Sequence, residues 1–170
     1  DRLAFHEIPA PPRISPFSVA LEGSVTIRGD ELGSGRLILL HDPSGSEAWQ
    51  GTSRFVAMIR ADVDASMASD PLIGRVAWSW LTDSLESHHA VHHAEAGTVT
   101  SVVSRPFGEL AADLESDHIE LRASWTPTFS AVGDVDSHLE SWSDLWLLSG
   151  GVSPIPDDIA AISPRRAKLA

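Results

Sequence analysis

Four histidines fall within six residues, His88-His89-Ala90-Val91-His92-His93. In a helix, the i,i+4 spacing sets His88 beside His92 and His89 beside His93. Neutral imidazoles so spaced bind Zn²⁺ or Ni²⁺, and Glu86 and Glu95 lie close by as carboxylates. No HExxH motif accompanies them and no distant ligand is implied. The competing reading is an exposed helix end where His⁺ meets the C-terminal dipole. His88, His89, His92 and His93 are therefore candidate ligands without an assigned metal. A second candidate is His41-Asp42, before Pro43. A histidine with a carboxylate neighbour can serve as a general base. Asp before Pro is equally a turn former that caps its own backbone. His41 and Asp42 are the candidate catalytic pair.

Six tryptophans and no tyrosine form the third set. Trp80, Trp125, Trp142 and Trp146 fall on faces expected to be buried. Trp49 lies in a turn, and Trp78 points away from the apolar face of its helix. Unburied indoles mark contact surfaces, so Trp49 and Trp78 are the candidate binding surface. Asp62, Asp64 and Asp70 lack the glycine and closing glutamate of a calcium loop and read as turn and cap residues. There is no P-loop, GxGxxG or GxSxG, and no cofactor is implied.

The elements that must position these residues follow from periodicity. Residues 1–16 hold Pro9, Pro11, Pro12 and Pro16 and read as an extended arm. From Phe17 to Ile27, apolar residues alternate with polar ones, as in a half-buried strand. Residues 28–35 read as a turn. Arg36–His41 is a strand covered on both faces, and Asp42-Pro43-Ser44-Gly45 is a turn. Arg54–Val63 is a third strand, with Phe55, Ala57, Ile59, Ala61 and Val63 inward. Asp70 and Pro71 open a helix as N-cap and N1. Its rows Leu72/Val76/Trp80 and Ile73/Ala77/Leu81 face the core, and it runs to about Ser87. Gly97–Arg105 and Ile119–Trp125 are strands; residues 106–116 form a short helix or loop. Ser137 and Glu140 open the last helix as a capping box, with Leu139, Trp142, Leu145 and Trp146 as its stripe. The order β-β-β-α-β-β-α predicts an α+β domain over 17–150: an antiparallel sheet of about five strands with helices on one face. Residues 151–170 read as an extended or flexible tail.

A chain of 170 residues with 42% apolar content can bury a real core. The formal net charge of −12 disfavours nucleic acid and anionic lipid as direct partners. No apolar run is long enough to span a membrane. The absence of cysteine and of a basic, then apolar, leader points to the cytoplasm. The chain does not begin with Met, so residues ahead of Asp1 are expected.

Four stretches combine rare residues at fixed places: HDPSGSEAWQG, DPLIGRVAWSWL, IELRASWTP and SWSDLWLLSGG. In these the chain resembles the DUF3000 family over roughly residues 9–150. The resemblance implies an actinobacterial protein without an established activity. It also implies a helix ahead of the Pro-rich arm in longer members. With that helix the order becomes α-β-β-β-α-β-β-α, the order of secretion-chaperone-like folds, a topological analogy. The reading that results is a non-enzymatic protein-interaction or chaperone-like module, with a protein partner or a homodimer. The alternative is a small metal-dependent or acid–base enzyme using His41/Asp42 or the His88–His93 run.

Overall fold

The computed structural model describes residues 2–27, 30–110, 117–131 and 133–149. Six strands form one antiparallel sheet: β1 (Arg2–Ile8), β2 (Phe17–Ile27), β3 (Asp30–Ser46), β4 (Gly51–Asp62), β5 (His92–Val102) and β6 (His118–Pro127), in the order β1-β2-β3-β4-β6-β5. A single-turn helix α1 (Ala65–Ala68) and the longer α2 (Ile73–Ser87) follow β4; α3 (Asp134–Ser149) closes the described chain. The fold is α+β, as the periodicity predicts, with one strand more than the five expected. The extra strand lies in the Pro-rich arm, where Arg2–Ile8 pairs with β2 before the prolines begin.

Because side chains alternate across a strand, the pairing sorts residues into rows that cross the sheet. One row runs Phe5, Gly23, Gly35, Ile59, Leu121, Val99. It belongs to the face covered by α2 and α3. There Phe55, Ala57, Ile59, Leu121, Ala123 and Trp125 are buried against Leu81, Leu85, Trp142, Leu145 and Trp146. The next row runs His6, Glu22, Arg36, Met58, Arg122, Thr98 and lies on the opposite face.

Two glycines let the helices approach. A Cβ on Gly35 would lie 2.6 Å from Cζ2 of Trp146, and one on Gly97 would lie 2.6 Å from Cζ3 of Trp78. Each indole thus rests directly on strand backbone.

Several helix expectations are corrected. The helix proper starts at Ile73, with Leu72 at the cap position. Asp70 still caps the preceding turn, its Oδ1 accepting from the Leu72 N–H at 2.8 Å. The buried stripe of α2 is Ile73, Ala77, Leu81, Ser84 and Leu85, whereas Leu72 and Val76 are exposed. The helix wedges between α3 and β5, which turns its inward face past Val76. Helix α3 begins one turn before the expected capping box. Asp134 Oδ2 holds the N–H groups of Ser130 and Ala131, and Ser137 sits inside the helix, donating to the Asp134 carbonyl. Strand β2 is also less covered than expected: Phe17 and Val19 are exposed, while Ala20 on the other face is fully buried. Strand β3 continues through the expected 42–45 turn as an irregular stretch with Gly45 at φ +79°, and the hairpin tip is Glu47–Gln50.

Candidate functional site

The sequence candidates are dispersed by the fold. Helix α2 ends at Ser87, His89 adopts φ +54°, and His92 and His93 open β5, so the i,i+4 geometry never forms. Each of three histidines has its own partner. His88 contacts two carboxylates of α3, Asp144 at 2.7 Å and Glu140 at 3.3 Å. His92 Nδ1 lies 2.7 Å from the Ala90 carbonyl, and His93 Nε2 lies 3.1 Å from that of Gln50. Among the described residues no three His, Asp or Glu side chains converge as metal ligands.

His41 and Asp42 are not a dyad. His41 Nδ1 lies 2.9 Å from Ser53 Oγ. Asp42 Oδ1 accepts from both the backbone N–H and the hydroxyl of Ser44, closing a local turn. Those bonds, the hydroxyl's first, hold the Asp42 carboxyl below its usual pKa, with nearby His41 adding a little.

The two candidate indoles are each half-buried. Trp78 is not off the helix face as expected: it packs against the main core and lies on Gly97. The Trp49 carbonyl accepts from the buried Thr126 hydroxyl. No ring contact joins Trp49 to Trp78 among the described residues.

Two buried polar residues, Arg54 and His138, were not singled out from the sequence. Arg54, expected on a solvent face, is 8% exposed. Its guanidinium donates to the Ala94 and Ser124 carbonyls and to the Ser124 and Thr126 hydroxyls, tying β4 to β6 and to the bulge of β5. Burial pushes its pKa down, and Glu95 pulls it partly back. His138 is fully buried on the α3 stripe, in ring contact with Phe55, Trp125 and Phe129. Its Nδ1 accepts from Trp125 Nε1–H at 3.1 Å. Burial, with His92 nearby, lowers its pKa to about 4 against a weaker pull from Asp134, so it is neutral near pH 7. Its spacing of four from Trp142 and seven from Leu145 was the available signal.

A larger concavity than those around the sequence candidates lies elsewhere, on the face of the sheet away from the helices. It is a groove of about 680 Å³. Ile38, Val56 and Met58 supply its floor, Arg36 and Arg122 its charged margin, and Ala96, Thr98 and Ser124 the side toward β5. Both arginines are held by carboxylates: Arg36 bonds Glu22, its neighbour across the row, at 2.8 Å, and Arg122 bonds Glu120, two residues along β6, at 3.0 Å. The Arg36 bond keeps the Glu22 carboxyl below its usual pKa. The groove therefore presents apolar surface between ion pairs, without an assembled nucleophile or acid–base pair at its floor.

The sequence model of one family, described as a protein of unknown function (DUF3000), matches residues 1–160. The chain belongs to the DUF3000 family. No curated protein and no solved structure matches it. Among the described residues of this DUF3000 protein, no helix is long and apolar enough to cross a membrane.

Proposed function

We propose that this DUF3000 protein is a non-enzymatic protein-interaction module whose docking surface is the helix-free face of the sheet. The observation that carries the reading is the groove over Ile38, Val56 and Met58. In most two-layer α+β folds one face of the sheet packs on helices and the other is wet and polar. Here the wet face has an apolar floor within a concavity, which is the surface a partner's side chains would cover. The arginine–carboxylate pairs at its margin suit the polar rim of an interface rather than a reaction. The partner that fits is an extended segment of another protein, laying apolar side chains on the floor and polar ones on the rim. The separation of His41 from Asp42 by their Ser53 and Ser44 bonds favours this reading over the enzymatic one.

The test is affinity purification of the tagged chain from its own host, in wild-type form and as Met58→Glu. The expected result is a stoichiometric partner that the variant fails to retain at unchanged melting temperature. A partner held equally by both forms would overturn the assignment of the groove.

A further inference from the structure

We infer that this protein associates with a second copy of itself through the free edge of β5, making one continuous sheet from two. The two sheet edges are built differently. The β1 edge carries His6 and Glu7 and runs into Pro9, Pro11 and Pro12. Charge and proline are the usual means by which an edge refuses another strand. At the other edge, residues 96–103 read Ala-Gly-Thr-Val-Thr-Ser-Val-Val, without charge, proline or lysine. This stretch begins after the irregularity at His93/Ala96, and its pairing with β6 is regular from Ala96 to Val102. Among the described residues no strand pairs with this edge, and an edge whose backbone donors and acceptors are open over such a length is a template for strand addition.

Charge and symmetry select a second copy as the occupant. Two chains of net charge −12 repel over most of their surfaces. The β5 edge is a stretch where they can meet without opposing carboxylates. A two-fold axis through Val99 is self-complementary, as a closed dimer requires. It sets Thr98 opposite Thr100 of the second copy, twice over, and Gly97 opposite Ser101. Cross-strand threonine pairs hydrogen-bond and are favourable. Ala96 and Thr98 also line the groove. The junction would therefore join the two grooves along one extended face. This association stands apart from the groove's role in binding a partner, and either can fail without the other.

The register makes the inference testable with the full chain. Light scattering and sedimentation of wild type are expected to give twice the 18.2 kDa chain mass at tens of micromolar (roughly, the range where weak edge pairing is read). Thr98→Lys combined with Thr100→Lys sets like charges directly opposite. It should raise the dissociation constant by about tenfold or more, even though it makes the net charge less negative. Thr98→Lys combined with Thr100→Glu sets opposite charges across the same axis and should remain dimeric. Circular dichroism confirms that each variant is folded. A monomeric wild type, a double-lysine variant as dimeric as wild type, or a Lys/Glu variant as monomeric as the double-lysine one would each overturn the inference. Met58→Glu is expected to leave the association unchanged, which separates it from loss of partner binding.

Discussion

Two neighbouring rows of one sheet show how little separates packing from recognition. The row through Phe5, Gly23, Gly35, Ile59, Leu121 and Val99 is built to be covered. It has bulky residues at the central strands and glycine where Trp146 must come close. The adjacent row through His6, Glu22, Arg36, Met58, Arg122 and Thr98 carries charge at three positions, Glu22, Arg36 and Arg122. Its exposed Met58 is part of an apolar floor completed by the half-buried Ile38 and Val56. One residue of register separates the two. A one-residue slip would exchange them, so the covered face fixes the register that assembles the open one.

The comparison is sharpened first by removing Trp125, the aromatic centre of the covered face, stacked on Phe55 and bonded to His138. Trp125→Ala should cost about 3–5 kcal/mol in urea unfolding, through a cavity and a lost partner for His138. A loss below about 1 kcal/mol would mean the helices do not depend on this row.

A pH series makes the next test. His138 has a folded pKa of about 4, below its ordinary 6.5. Between those values the unfolded chain binds more protons than the folded one, so stability is fully present above about pH 6.5 and is lost as pH falls toward 4. The 2.5-unit difference corresponds to about 3 kcal/mol. His138→Gln should flatten that dependence, as measured by denaturant midpoints across the range. An unaltered slope would contradict the assignment.

Asp117 should matter less. It sits buried just ahead of β6, accepting from Arg105 and from the Ser104 N–H, and the Arg105 bond first of all holds its carboxyl below the usual range. Asp117→Ala should lower stability by about 1–3 kcal/mol, read from the same unfolding curves. The smallest stability effect belongs to the open row. Met58→Glu should change unfolding free energy by about 0.5 kcal/mol or less, while removing partner retention.

What the sequence made legible follows the same division. The alternation of β4 from Phe55 to Asp62 and of β6 from Ile119 to Trp125 reports burial, because both strands lie mid-sheet with one face covered; it fails at Arg54, which is buried by its bonds to β6 and the β5 bulge. Strand β2 misleads: its helix-side residues Phe17 and Val19 stay exposed, Val19 lining a shallow gap beside Val135 and Leu139 of α3 rather than packing under it. Helix α2 has apolar residues around much of its surface, so periodicity alone could not place its buried stripe between α3 and β5, and Val76 was assigned inward. The end of that helix at Ser87 was legible, but the run just beyond it was not. His89 takes a left-handed conformation without being glycine, so a four-histidine run that looked helical is split between a helix cap and a strand. The prolines of the arm masked the alternation of Arg2–Ile8. The groove could not be read at all, because it depends on curvature and on side chains brought together from four strands, and no local pattern encodes that.

The most direct measurement uses the chain's two methionines. Met58 lies on the groove floor, and Met67 lies on α1 outside it, similarly exposed. With ¹³C-methyl-labelled methionine, addition of the partner recovered on wild-type chain should shift the Met58 methyl resonance and leave that of Met67 in place. A partner that moves Met67 and not Met58, or a wild-type chain that retains no partner, would contradict the assignment of the open face to recognition.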